Sequence, residues 1–304
     1  ADSAQNARAL DVFAEGRVFV TDHLILVGGG SLGSANRQFR NNLNHTADRS
    51  ITYEWFAPRV GVIWQADDGA QAFANLTRSV EPPNFSALAQ TGPFVGFAPL
   101  KAQEAWTAEI GTRGRRGAFA WDVALYRAEL ENELLNFVVS PTIPAATFNA
   151  GKTIHQGLEA GLDWRVGAVR LRQTYAWSDF RFDGDRVYGD GRLPVVPEHL
   201  YRAELRYDHP SGWFLAPSLE WSIKDVQVDY ANTLKAPSYA IWSLGGGWRG
   251  PSGVSLFVEA RNLGGERYVS NFSAITDARL PGVSKAVFFP GEGRSVFGGV
   301  TWAF

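Results

Sequence analysis

The sequence predicts an all-β fold: a transmembrane antiparallel β-barrel wall of roughly thirteen strands. Three observations predict it. Apolar and polar residues alternate with a period of two in segment after segment, which makes strands with one apolar face. Those apolar faces repeatedly begin or end on Trp or Tyr, the girdle pattern of lipid-facing strands. Short turns and long loops also alternate strictly, so the long connections all fall on one side of the wall.

The final segment shows the first pattern. Val296, Val300, Trp302 and Phe304 share one parity, and Thr301 and Ala303 take the other. A strand that closes on an aromatic suits the last strand of an outer-membrane barrel. Upstream, Trp106, Ala108 and Ile110 oppose Thr107, Glu109 and Gly111. Phe119, Trp121, Val123 and Leu125 oppose Ala120, Asp122 and Ala124. Parity places Trp106, Trp121, Trp164, Tyr201, Trp221, Val258 and Val300 toward lipid. It places Arg170, Arg172, Arg202, Glu204 and Glu259 toward the lumen.

The short connections include Asp67-Asp68-Gly69, Gly167, Asp208–Gly212 and Gly250–Gly253, all turn chemistry. The long ones run over about 28–50, 80–100, 136–151, 180–197, 223–238 and 263–292. A soluble domain rarely carries so many long loops. No helical periodicity and no domain boundary interrupts residues 1–304.

Composition bounds the chemistry. The mean hydropathy of −0.16 is that of a soluble chain, but alternation halves the apparent hydrophobicity of barrel strands. No run approaches 18 apolar residues, so a transmembrane helix is excluded. The 11 Trp, 9 Tyr, 20 Phe and 32 Gly suit girdles and turns. With no Cys there is no disulfide framework, zinc–thiolate site or thiol chemistry. A net charge of −2 argues against a nucleic-acid partner. The chain begins on Ala, contains no Met, and has an odd strand count where single-chain bacterial barrels have even ones. It therefore reads as a piece of something longer, with strands missing ahead of it.

No catalytic constellation emerges. His23 and His209 lie beside short turns, while His45, His155 and His199 lie on the loop side in separate segments. Neither a Ser-His-Asp order nor a metal-ligand spacing is present, so no enzyme, metal site or cofactor is expected. Asp179, Asp183, Asp185 and Asp190, with Gly184 and Gly189, cluster in one loop. Calcium coordination and solvated turns both account for them, and turns are favoured. The long loops hold the candidate ligand contacts Arg37, His45, Phe85, Arg181, Arg186 and Tyr188. Arg offers fixed donors to oxygen-rich anions, and aromatics offer rigid apolar surface.

Several phrases resemble one family in order. Phe73-Ala-Asn75-Leu-Thr-Arg-Ser79, then Pro82-Pro83-Asn84-Phe85 and Leu88, is similar to a strand followed by a proline-marked loop entry. Glu109 and Gly111 in Ala108–Gly111, then Arg113, follow. Asn149-Ala-Gly precedes Gly157-Leu158-Glu159. Arg261-Asn262-Leu263, then Tyr268, opens the last long loop, and Phe304 closes the set. Together over residues 50–304 these resemble the C-terminal part of the barrel of a TonB-dependent outer-membrane receptor.

The resemblance implies a 22-stranded barrel with a plugged lumen in the outer membrane of a Gram-negative bacterium. It implies TonB-energised uptake of a metal chelate, with ferric siderophores the commonest ligands, or of another scarce nutrient. It implies contact with outer-membrane lipid and lipopolysaccharide, and coupling to TonB through a plug domain that has no counterpart in this chain. It also implies recognition of Phe304 by the outer-membrane assembly machinery, and a monomer at full length. Two other readings stay open on the residues: a self-contained passive channel of 12–14 strands, and a soluble all-β binding protein.

Overall fold

The structure, a computed structural model, describes residues 2–91, 95–140, 142–250 and 253–303. Thirteen strands form one antiparallel sheet. In chain order they are β1 (Ser3–Phe19), β2 (Leu24–Asn41), β3 (Arg49–Gln65), β4 (Gln71–Glu81), β5 (Gln103–Arg116), β6 (Phe119–Glu131) and β7 (Lys152–Val166). They continue as β8 (Val169–Phe182), β9 (His199–Asp208), β10 (Trp213–Ser222), β11 (Tyr239–Arg249), β12 (Val254–Arg261) and β13 (Ser295–Trp302). Each pairs with the next in a simple meander. β1 and β13 are the edges, and both run from the long-loop side to the short-turn side.

Residues directly opposite in an antiparallel pair share a face, so the register assigns the two surfaces. One row joins Phe119, Trp164, Leu171 and Leu205, and another joins Tyr175, Tyr201, Trp221 and Ala240. Val258 and Val300 continue that face on β12 and β13. On the other face Asp163 lies opposite Arg172, Arg172 opposite Glu204, and Arg202 opposite Glu220. The lipid and lumen sets read from parity therefore separate onto the two faces as expected.

Aromatics flank the apolar face at both ends. Phe56 and Trp64 bracket it on β3, and Trp213 and Trp221 on β10, each pair eight residues apart. Eight residues rise about 26 Å along a strand, or about 20 Å of depth at a tilt near 40°. That spans most of an apolar band roughly 25 Å tall.

The long loop expected over 28–50 is corrected. β2 runs straight through Gly28-Gly29-Gly30, and only residues 42–48 connect it to β3. A Cβ at Gly29 would lie 2.6 Å from the Ala14 carbonyl oxygen, so glycine here admits a close backbone approach inside a paired strand. Arg37 and Arg40 are consequently wall residues. Arg181 is too, because β8 extends to Phe182. Two short helical turns escape the periodicity reading: a 3₁₀ turn at His45–Ala47 and a single α-turn at Phe85–Leu88. Asn84 caps the latter, its Oδ1 accepting from Ala87 N at 2.9 Å.

A one-layer wall has no interior of its own. The buried core lies instead among the long loops, as two adjoining clusters. One gathers Phe137, Ala146, Ala150, Phe182, Leu193 and Tyr230; the other gathers Val228, Ala236, Ile275, Ala278 and Val287.

Candidate functional site

The site is the mouth formed by the long loops and the upper inner wall. Its parts are held by three different devices.

The first is a shared apolar core. Connections 132–151, 183–198, 223–238 and 262–294 all contribute to the two clusters. Small two-stranded ribbons stiffen them, such as Leu134–Phe137 with Ala146–Asn149 and Val269–Phe272 with Phe288–Pro290. Asp229 ties two of these connections together. It is fully buried and accepts from Thr233 N (2.7 Å), Leu234 N (2.8 Å) and Ala278 N (3.0 Å), as well as from the Thr233 hydroxyl. A buried carboxylate with four donors is fully satisfied. Beneath the core, buried Glu133 accepts from the Thr153 hydroxyl at 2.5 Å and pairs with His155 Nε2 at 3.2 Å, while His155 stacks on Phe180 at 4.1 Å.

The second device anchors connection 82–102, which folds inward over β2 and β3. Arg37 Nε donates to the Pro83 carbonyl (3.3 Å), and the Tyr53 hydroxyl donates to that of Leu100 (2.8 Å). Asn149 clips three segments: its Oδ1 accepts from Lys101 N at 2.9 Å, and its Nδ2 donates to Lys101 O (3.1 Å) and Asn132 O (2.7 Å). Gln90 Nε2 reaches Thr147 O at 2.8 Å.

The third is a clasp on the last loop. Asn262 is buried at φ 50°, a left-handed conformation that Asn tolerates. Its Oδ1 accepts from Glu266 N at 2.8 Å, and its Nδ2 donates to Glu266 O (2.9 Å) and Glu292 O (3.0 Å). One side chain thus holds the entry and the exit of a 33-residue excursion (262–294). Leu263 N donates to Trp242 O at 2.8 Å, and Tyr268 packs on Tyr239 at 4.8 Å.

The other motif residues are wall fittings. Asn75 donates to Glu109 at 3.3 Å across the inner face. Gly111 lets the Phe73 ring lie over it, and Gly157 does the same for Tyr126; a Cβ would come to 2.5 Å from the Phe73 ring and to 2.6 Å from the Tyr126 hydroxyl. Glu159 is exposed on the inner face of β7, and Pro82 and buried Pro83 open connection 82–102. Phe304 lies outside the described residues.

The candidate ligand contacts are scattered. Arg37 points inward and holds a loop. His45 sits at the tip of 42–48, 3.4 Å from Asp48. Phe85 is half-buried in its helical turn. Arg181 faces outward from β8, on the side away from the lumen. Arg186 is exposed at the tip of 183–198. Tyr188 stacks on Phe182 at 5.0 Å within the loop core, and burial, followed by the Asp185 carboxylate, raises its phenol above the usual range. Three of the four aspartates act as turn acceptors and ion-pair partners. Asp185 caps Val187 N and Tyr188 N, Asp190 accepts from Gly184 N, and Asp179 pairs with Arg192. No cluster of three metal-ligating side chains occurs among the described residues.

One inner-wall feature was not singled out from the sequence as a site. A concavity of about 470 Å³ opens on β8–β12, lined by Arg172, Arg202, Glu220, Arg261, Asn262 and Tyr268. Its guanidinium groups alternate with carboxylates: Arg202 meets Glu220 at 2.8 Å and Arg261 meets Glu259 at 2.8 Å. The Arg/Glu alternation on the polar parity was the available signal.

The family profile described as TonB dependent receptor-like, beta-barrel matches residues 1–263. The chain belongs to this family. The receptor wall is thus that of a Gram-negative outer-membrane protein. It is 23% identical over 239 residues to the metal-pseudopaline receptor CntO of Pseudomonas aeruginosa (strain UCBPP-PA14), covering 77% of this chain and 32% of CntO. Among solved structures it resembles the ferric citrate transporter FecA (TM-score 0.80, 18% identity, 99% of this chain and 45% of that one). It also resembles the copper transporter OprC (0.79, 18%, 98% and 48%) and the ferric yersiniabactin uptake receptor FyuA of Yersinia pestis (0.78, 17%, 98% and 46%). The chain spans about a third of the length of the curated relative and under half of these structural neighbours.

Proposed function

We propose that this chain is the C-terminal portion of the barrel of an outer-membrane importer that takes up a metal chelate, energised by TonB through a plug domain. The match to a metal-pseudopaline receptor over 77% of the chain carries the reading. The architecture supports it. An all-meander wall with two unpaired edges suits one portion of a larger barrel, and the loops on one side are packed into a mouth rather than left as separate turns. The ligand's oxygen-rich anionic groups would meet Arg202, Arg261 and exposed Arg186, with Tyr268 as apolar surface. Ferric siderophores lead the candidate ligands, followed by chelates of other metals. No covalent chemistry is assigned to the chain.

The test is metal uptake by cells carrying or lacking the full-length receptor, over a panel of chelates, with and without a working TonB. We expect one chelate class to depend on both. Uptake that needs the receptor but not TonB would instead favour a passive channel.

A further inference from the structure

The inner wall holds one couple of opposite charges that stays open. Elsewhere along β8–β12 the lumen-facing ionic groups are engaged. Arg170 Nε donates to Asp163 at 2.9 Å, and Arg202 pairs with Glu220 at 2.8 Å, Arg206 with Asp208 at 2.7 Å and Arg261 with Glu259 at 2.8 Å. Arg249 lies over the Phe214 ring, 5.5 Å from its centroid. Arg172 on β8 and Glu204 on β9 stand directly opposite one another among these pairs, and opposite charges so placed attract. Yet among the described residues neither takes part in a hydrogen bond or an ion pair. Asp163, the other direct neighbour of Arg172, is occupied by the fork of Arg170.

Both open groups line the concavity of about 470 Å³ on the inner wall. Hydroxyls lie beside them: Thr174 is two residues along β8 on the same face, and Ser218 is directly opposite Glu204. Asn262 and Tyr268 line the same concavity where it meets the mouth. Its lining is balanced in charge, with Arg172, Arg202 and Arg261 against Glu204, Glu220 and Glu292. Such a surface gives no advantage to a polyanion. The open couple discriminates further. A plain carboxylate that reaches Arg172 is repelled by Glu204, and a plain amine that reaches Glu204 is repelled by Arg172. A group that carries both charges satisfies both partners.

We infer that Arg172 and Glu204 bind an α-amino-acid group carried by the imported chelate, its carboxylate on Arg172 and its ammonium on Glu204. Directly opposite side chains start about 5 Å apart, so both can close on one small head group whose two charges sit on the same carbon. The Thr174 and Ser218 hydroxyls take its remaining hydrogen bonds. The inference deepens the uptake reading and rests on it for the ligand's arrival from the mouth. It places a station low on the inner wall, since Arg172 lies three residues, about 10 Å, along β8 from its short-turn end.

The test titrates the full-length receptor, purified in mild detergent without chelate, by ligand-observed NMR. The probes are L-norvaline, N-acetyl-L-norvaline, which lacks the ammonium, and L-norvalinamide, which lacks the carboxylate. We expect norvaline to bind about tenfold more tightly than either analogue. Glu204→Gln should turn the preference toward N-acetylnorvaline and Arg172→Gln toward norvalinamide, a reciprocal change that a merely structural role would not produce. Heat-modifiable gel mobility will show that both variants retain a folded barrel. An unchanged preference in both variants would overturn the site. No preference for norvaline in the unaltered receptor would overturn the proposal even if the variants fail to fold. If the same substitutions then open the plug to protease, the two residues belong to a plug contact. A ferric trihydroxamate with a pendant α-amino-acid arm should bind more tightly than the same chelate without it, and norvaline should displace it. Equal or absent binding of the two chelates would overturn the assignment to a carried group and leave a site for a free amino acid. The norvaline series needs neither uptake nor TonB, so its failure is distinct from failure of the importer reading.

Discussion

The two groups of long connections are built on different principles. Connections 132–151, 183–198, 223–238 and 262–294 share buried apolar clusters, and Asp229 pins the last two to each other. Connection 82–102 is held by polar contacts to Arg37 and Tyr53 on the inner wall and to Asn149 and Thr147 on the neighbouring ribbon. The first group would expose two clusters built from four connections if it opened, whereas the second would expose the smaller set Pro83, Ala87 and Leu88 and lose a few hydrogen bonds, each worth about 1 kcal/mol. Low local opening energy goes with lids and binding loops. The comparison therefore makes the larger group the more firmly held part of the mouth.

The strongest way to break this contrast is Asp229→Ala. It leaves three backbone donors and a hydroxyl without their acceptor, at a cost of at least about 3 kcal/mol. Amide exchange in the full-length receptor should rise across both 223–238 and 262–294, with 82–102 unchanged. Loss of protection confined to 223–238 would show that the connections are not one unit.

Alkali offers a gentler probe. Burial, and then the Glu133 carboxylate, raises the Tyr230 phenol; Tyr188 is raised by burial and Asp185. The sign follows from the raised folded values. The contribution is fully present below the unfolded tyrosine range near pH 10, and it is lost as pH climbs through the folded values. The rim should thus hold to about pH 10 and loosen above it, with Tyr188 and Tyr230 among the tyrosines that ionise late in an absorbance titration. If every tyrosine ionises together near pH 10 in the folded receptor, the loop core is not sealed.

Tyr53→Phe should have the smallest effect. It removes one hydroxyl bond to Leu100, worth about 0.5–1.5 kcal/mol, and should raise exchange only in 82–102. An equal rise in the larger group would show that the bonds from Lys101 to Asn149 and from Gln90 to Thr147 make the two regions one unit.

The wall was legible in the sequence because lipid on one side and lumen on the other impose a strict period of two. The strands through Tyr175, Tyr201 and Trp221 follow that period, with Gln173 the polar exception beside Tyr201. Gly28-Gly29-Gly30 misled because glycine marks both turns and close strand contacts, and only pairing on both sides tells them apart. The mouth was harder to read. Tyr188 and Arg186 look alike as loop residues of ligand-binding type, yet one is stacked in a core and the other is free at a tip. Asp229 carried no signal, since its four donors come from segments up to 49 residues away. Asn262 and Asn149 were legible through their motifs, and the structure supplies the reason, as each closes a loop with a single amide.

The two edge strands, β1 and β13, run in the same direction. Joined directly they would form a parallel seam, so an antiparallel ring containing this wall must add an odd number of strands between them. A further consequence concerns ancestry. Such a ring can be lengthened or shortened by whole hairpins, each returning the chain to the side it left, but never by one strand. Insertions that duplicate a strand–turn–strand unit keep every later loop outside, whereas the gain of a lone strand would send all subsequent loops to the wrong compartment.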